Sequence, residues 1–273
     1  MEIEVKPFWL DEKHPNYELW KRTRDLAVER GNFVLKVISQ CRDCKNLTVL
    51  NLGCGEGGTS AIFSENNNVV SLDINKIKLL TLPVNNKIIG NIDEIPFKSG
   101  SFNIIILQDV IEHLSLTNEF FDSLYSLLRK DGLIYLSTPN KYSIINFISD
   151  PHWNFPFISV LERETIRKYF LKYFRKAEVN RSDIAQLLSL KELYSLSSNN
   201  FEIKLNTKFA TEELLKENPG IIWSRFHIKL LKIILNLGLS KILFYFTNDK
   251  RGFINNFITP SFYIVLFKKS IIN

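Results

Sequence analysis

A chain of 273 residues with 45% apolar content can bury the core of one large α/β domain with insertions, or of two small domains. Its 11 glycines and 9 prolines are too few for long disordered tracts, and it has no internal repeat or low-complexity linker. The net charge of +6 comes from basic residues spread along the chain, so by itself it is weak evidence for a nucleic-acid partner.

The opening stretch MEIEVKPFWLDEK is acidic and has no long apolar run, so it does not read as a secretory signal. No window of ~20 uninterrupted apolar residues follows, and no membrane span is expected. Tyr17 to Gln40 is predicted as a helix, followed by a polar connection over 42–46. Cys41 and Cys44 form a lone C-x-x-C. Without a second pair they do not make a zinc site, and with Cys54 they read as reduced thiols of a cytoplasmic protein.

Leu47 to Leu52 is a short apolar run bounded by turn chemistry, hence a buried strand. Four glycines follow in VLNLGCGEGG, and a helix is predicted from Thr59 to Glu65. NNVVSLDIN gives a second strand ending at Asp73, NKIIGNI a third, and FNIIILQDV a fourth whose unbroken isoleucines suit a strand covered on both faces. Thr117 to Arg129 is predicted as a helix, LIYLSTPN as a fifth strand. SLKELYSLSSNNFEIKLN restores helix then strand, and SFYIVLFKK closes the pattern. The expected fold is a Rossmann-like, doubly wound, mostly parallel seven-stranded sheet in a single domain. Two segments interrupt the rhythm: 141–187 after the fifth strand, expected to lie on the substrate side, and 209–255 before the last strand, expected to be a helical cap or a membrane-facing insertion.

Strand, glycine loop and helix in succession make a ligand cradle. Glycine permits positive φ and close approach, and the helix start offers free N–H groups. Asp73, twenty positions after Gly53 at the end of the next strand, can accept from both ribose hydroxyls. The spacing leaves the cofactor open, because Gly53, Gly55 and Gly58 also satisfy the dinucleotide pattern G-x-G-x-x-G.

VLNLGCGEGG, VVSLDIN, GNIDEIPFKSGSFNIIILQDVIEHL and LIYLSTPN, in this order, resemble class I S-adenosylmethionine-dependent methyltransferases. The resemblance is greatest to the group that includes ubiquinone-biosynthesis and sugar O-methyltransferases. It covers about Leu47 to Asn140 and LLSLKELYSLSSNNFEI. It implies that Gly53, Cys54, Gly55 and Gly57 line the methionine part of the cofactor, that Asp73 holds the ribose, and that Ile74 packs on adenine. It also implies that Asn91 and Ile92 meet the adenine edge and that Gln108 and Asp109 close over the methionine moiety. The family usually carries Asp where this chain has Asn51 and Asn91. Either amide can still hydrogen-bond in place.

Methyl transfer to a hydroxyl profits from a general base near the ends of strands four and five. His113 and His152 are the candidates. Asp109, Glu112 and His113 resemble a metal-binding cluster of ubiquinone-pathway members, but Glu112-His113 also recurs as a helix start, and no metal is expected. DPHWNFPF resembles the substrate-side insert of methyltransferases linked with glycan biosynthesis. Its Trp153 either offers an apolar face to a sugar or lipid or packs the insert. LQDVIEH stands where methyltransferases of base amino groups carry Asp/Asn-Pro-Pro-aromatic, so DNA is not expected as a substrate.

In 221–246, Arg225, Lys229, Lys232 and Asn236 form one helical stripe with Ile222, Trp223, Phe226, Leu230, Ile233 and Ile234 around it. Such a pattern suits an interfacial helix at the inner face of a membrane, a buried cap or a homodimer contact. The function expected is methyl transfer from S-adenosylmethionine to a sugar, glycan or lipid-linked small acceptor. The rivals are a nicotinamide (NAD)-dependent oxidoreductase and a non-catalytic cofactor-binding partner protein.

Overall fold

The computed structural model describes residues 7–92, 94–221 and 225–269. The first six residues, Asp93, Ile222 and Trp223, all drawn on above, lie outside the described residues, as does the side chain of Arg225.

Seven strands form one sheet in the order β3-β2-β1-β4-β5-β7-β6. They are β1 (Thr48–Leu52), β2 (Asn68–Asp73), β3 (Asn86–Ile89), β4 (Phe102–Gln108), β5 (Leu128–Pro139), β6 (Phe201–Leu205) and β7 (Ser261–Lys268). The first five run parallel, and β7 is antiparallel to both β5 and β6. The isoleucine run of β4 serves both faces, as expected. Ile105 and Leu107 enter one core with Phe121, Leu190 and Leu193, while Ile104 and Ile106 enter the other with Phe33, Val37 and Phe63. Each such buried side chain contributes roughly 1.5–3 kcal/mol relative to exposure.

The expected helix over 17–40 is two helices, α1 (Tyr17–Asp25) and α2 (Ala27–Ser39), broken at Leu26. The break follows from two different partners. α2 packs on α3 (Gly58–Ser64) so closely that a Cβ on Gly58 would lie 2.0 Å from the Ala27 carbonyl oxygen, and one on Gly31 2.8 Å from that of Gly58. α1 turns away to place Trp20 under the Arg181 guanidinium, 5.9 Å from the ring centre. After α4 (Lys76–Thr81) comes α5, which covers Asn118–Leu127 and is capped by the Thr117 hydroxyl, stopping short of the expected Arg129. Leu128 already pairs with Phe102, so Arg129 and Lys130 belong to β5.

Segment 141–187 contains α6 (Ile144–Ile148), then α7 (Arg163–Thr165), a π-helical stretch over 166–171 and α8 (Lys172–Phe174). It has its own small core of Trp153, Ile158, Ile166, Phe170, Leu171 and Ile184. α9 (Leu190–Ser197) opens with a capping box between Ser189 and Glu192. The next helix, α10 (Thr207–Leu215), begins two residues before the expected insertion and is part of the domain: Ala210 is buried with Phe33 and Val265 against the sheet. Beyond it among the described residues come α11 (Arg225–Asn236) and α12 (Ser240–Phe246).

Asn140, fully buried at the end of β5, ties the two irregular segments together. Its Nδ2 donates to the carbonyls of Asn255, Asn256 and Thr259, and its backbone N–H to Pro260.

Candidate active site

The glycine loop leaves β1 at its carboxyl end and folds over the end of β2. The N–H groups of Gly53 and Cys54 both donate to the Leu72 carbonyl, at 2.8 and 3.1 Å. Gly55 N–H donates to Asp73 Oδ2 at 2.8 Å, and Asn75 N–H to Asp73 Oδ1 at 2.8 Å. Gly53 and Gly57 have φ of +66° and +73°, and a Cβ at either would strike Val110 or Leu82. Gly57 is also the residue from which α3 starts. Beneath the loop, Asn51 Nδ2 donates to Ser60 Oγ at 2.8 Å, and Ser71 Oγ to the same oxygen at 2.8 Å. The buried amide therefore has a partner in place. Cys54 is buried beside Leu79, Leu82 and Val84, and burial pushes its thiol up to about 12. It is no nucleophile at neutral pH.

Ile74, just past Asp73, is 73% exposed, an apolar side chain at the mouth of a backbone cradle. Ile92 is buried and Asn91 exposed after β3. Gln108, at the end of β4, accepts from Thr59 Oγ1 of α3 at 2.7 Å. Asp109 follows with φ of +54°, a conformation that Asp tolerates better than most side chains. Its Oδ1 accepts from Ser137 Oγ at 2.9 Å, and its Oδ2 from Arg30 Nη2 at 2.5 Å. The expected cofactor residues at the ends of β1, β2 and β4 thus share the carboxyl edge of the sheet. Exposed Ile74 and the carboxylate of Asp73 lie at this edge beside the glycine loop.

The two histidines meet beside this edge. The 3-10 turn Ile111–His113 follows β4. It is held by Gln186 N–H and Arg163 Nη2 donating to the Glu112 carbonyl at 2.8 and 3.2 Å. Thr138 Oγ1 of β5 donates to Glu112 Oε2 at 3.0 Å. His152 approaches from the 141–187 segment: its Nε2 lies 3.7 Å from Glu112 Oε1, and its ring meets that of His113 edge-on at 5.2 Å. The His152 main chain is pinned on both sides, its N–H donating to Asp150 Oδ1 at 2.8 Å and its carbonyl accepting from Asn16 Nδ2 at 2.8 Å. His113 Nδ1 lies 3.0 Å from the Asp183 carbonyl.

Electrostatics make this cluster neutral near pH 7. Burial, then the negative charge of Asp109, raises the Glu112 carboxyl to about 8. Burial, then the neighbouring His113, holds the His152 imidazole well below its usual value, and burial lowers His113 too. Glu112 Oε1 and His152 Nδ1 are buried without hydrogen-bond partners. Glu112, His113 and His152 offer donor atoms within 4.8 Å of one another, a set that could hold a metal ion where none was expected.

Of the two roles open to Trp153, packing is the one observed. Trp153 is 2% exposed and packs edge-on to Phe170, so it is core to the segment rather than a platform for an acceptor. Arg30 was missed altogether. No local pattern marks it, because its partner lies 79 residues away.

A methyltransferase-domain family model matches residues 20–201. The chain belongs to this family, the class I S-adenosylmethionine-dependent methyltransferases. Among similar proteins, an uncharacterised protein of Methanocaldococcus jannaschii, MJ0638, is 28% identical over 52% of this chain and 64% of its own length. A probable S-adenosylmethionine-dependent methyltransferase of Mycolicibacterium smegmatis is 30% identical over 36% of this chain and 40% of its own length. The chain thus spans less than two thirds of these curated relatives. Among solved structures, an S-adenosylmethionine-dependent methyltransferase of Mesorhizobium loti aligns with a TM-score of 0.53 at 13% identity, over 85% of this chain and 96% of that one. The plantazolicin methyltransferase BpumL in complex with SAH aligns with a TM-score of 0.51 at 16% identity, over 96% and 93%. At these identities the alignments establish the fold. Family membership displaces the nicotinamide reading of the same glycines.

Proposed function

We propose that the chain methylates a hydroxyl of a sugar, glycan or lipid-linked small acceptor, with His152 as the general base. The observation that carries this reading is the His152–Glu112 pair at the carboxyl ends of β4 and β5, beside the glycine loop, with His152 Nδ1 unpartnered. S-adenosylmethionine supplies an electrophilic methyl on a sulfonium sulfur. Gly53, Cys54, Gly55 and Gly57 hold its methionine part through their backbone, Asp73 accepts from the ribose hydroxyls, and Ile74, Asn91 and Ile92 border the adenine. Gln108 and Asp109, the latter anchored by Arg30, close the methionine end. The neutral imidazole of His152 is the form able to take the acceptor proton. As it becomes cationic, Glu112 can release its own proton to solvent and pair with it. A unit pair at 3.7 Å attracts by roughly 4 kcal/mol at an effective dielectric of about 20. His113, anchored on Asp183, sets the position of the His152 ring.

In this reading Glu112, His113 and His152 handle a proton and hold no metal. The three free cysteines support a reducing, cytoplasmic setting.

The test is transfer of a labelled methyl group to a panel of free sugars, glycan fragments, polyprenyl-linked glycans, small amines and RNA. Label on hydroxyl acceptors alone is expected. Label on amines or RNA alone would overturn the reading.

A further inference from the structure

None of the cofactor or acceptor machinery uses the corner formed by α11 and α12. The inner side of α11 is seated: Leu231 is buried, and α11 and α12 both pack on α10. The apolar residues on the outer side are therefore not needed for the fold. Ile233 of α11 is exposed, as is Leu237 just past the end of that helix. Gly238 turns the chain with φ of +66°, and Leu239, at the start of α12, and Ile242 and Tyr245 within it are exposed as well. Tyr245 is 82% exposed and Leu237 64%. Phe246, also exposed, meets Tyr245 edge-on at 5.5 Å. Monomeric soluble proteins seldom leave such a group to water without a use for it.

The charge on α11 and α12 is of one sign. Residues 225–246 contain no Asp or Glu, and Lys229, Lys232 and Lys241 are all exposed beside the apolar side chains. The acids on α10 are committed elsewhere, Glu212 to Lys216 and Glu213 to Lys36 and Lys216. A second copy docking here through a two-fold axis would set lysines against lysines with no carboxylate to answer them. An anionic lipid surface answers both features, since phosphates take the lysines and the acyl boundary takes the apolar side chains.

No helix among the described residues is long and apolar enough to cross a membrane. We propose that the α11–α12 corner docks the protein peripherally on an anionic bilayer, with Leu237, Ile242 and Tyr245 dipping below the headgroups and Lys229, Lys232 and Lys241 at phosphate level. The corner differs from the single helix suggested by sequence. Leu231 of α11 is buried, whereas Ile242, Tyr245 and Phe246 of α12 are exposed and supply most of the surface that enters the lipid.

The 273-residue chain is sedimented with vesicles of equal parts phosphatidylglycerol and phosphatidylcholine at low salt, and with pure phosphatidylcholine. Binding to the anionic vesicles that weakens as salt rises is expected. Lys229→Glu with Lys232→Glu and Lys241→Glu weakens partition on the order of 100-fold. Ile242→Ser with Tyr245→Ser weakens it at least about 10-fold without changing charge. Both variants keep the wild-type melting temperature and affinity for S-adenosylhomocysteine, because all five side chains are exposed. A wild-type protein that stays in the supernatant overturns the proposal, as does equal binding to neutral vesicles. Loss of a dimer in sedimentation equilibrium by either variant, with no vesicle binding by the wild type, assigns the corner to a second copy and overturns it as well.

Discussion

Arg30 Nη2 of α2 reaches Asp109 Oδ2 at 2.5 Å and fixes the turn that follows β4 from a helix on the other side of the glycine loop. The pair is largely shielded, so removing the cation leaves a carboxylate poorly compensated. Arg30→Met is expected to weaken S-adenosylhomocysteine binding about 10-fold, equivalent to about 1.4 kcal/mol. Titration calorimetry checks this. Wild-type affinity in the variant would make the pair a purely structural clasp.

Asp73→Ala is expected to cost two charge-assisted hydrogen bonds to ribose, each worth roughly 1.5–3 kcal/mol, and so at least about 100-fold in affinity for S-adenosylhomocysteine. The wild type should give no heat with NAD. Binding of NAD together with indifference to S-adenosylhomocysteine would contradict the cofactor assignment.

His152→Ala is expected to lower kcat roughly 100-fold or more while cofactor affinity stays put. Glu112→Gln should lower kcat by a smaller factor, because the imidazolium then lacks its counter-charge. Treatment with a chelator should leave wild-type turnover as it was. A chelator-sensitive rate restored by one divalent ion would recast Glu112, His113 and His152 as its ligands.

The buried acids set a pH dependence of stability. Glu112 titrates at about 8 in the folded chain against 4.5 unfolded, and Asp150, raised by burial, at about 7 against 3.8. The folded state therefore holds extra protons between those values, and raising the pH favours unfolding. The depressed histidines, His14 among them, act oppositely, and their contribution fades about a unit above their ordinary value of 6.5. Between pH 6.5 and 8 the carboxyls outweigh them, and stability should fall by about 1–2 kcal/mol. Urea unfolding across that range measures the slope. In Glu112→Gln the slope should flatten, and a slope unchanged by the substitution would place its origin elsewhere.

The strands were legible because each is a short apolar run between turn residues, and the glycine loop with Asp73 because its chemistry is local. What escaped depends on partners distant in sequence. One helical period runs through Leu26, and only the contact of Ala27 with Gly58 shows why the helix must break there. Trp153 could not be told from an acceptor platform, because either role asks for the same aromatic face; burial against Phe170 decides it. α10 read as an insertion until Ala210 was seen beneath the sheet. Arg30 and Asp109 carry no shared local pattern, and the approach of His152 to Glu112 depends on how 141–187 folds back.

The placing of β7 has a consequence for how the molecule is assembled. β6 pairs with no other strand, and the outer edge of β5 is closed by β7 alone. Until residues 261–268 are in place, two open strand edges face solvent, one of them the apolar stretch Leu133–Leu136. The part of the sheet carrying the glycine loop can form from the first five strands, with no pairing as distant in sequence as that of β5 with β7. Maturation should therefore proceed in two stages, a cofactor half that orders early and an antiparallel half that zips up late, and the interval between them is when the chain is most exposed to aggregation and most dependent on chaperones.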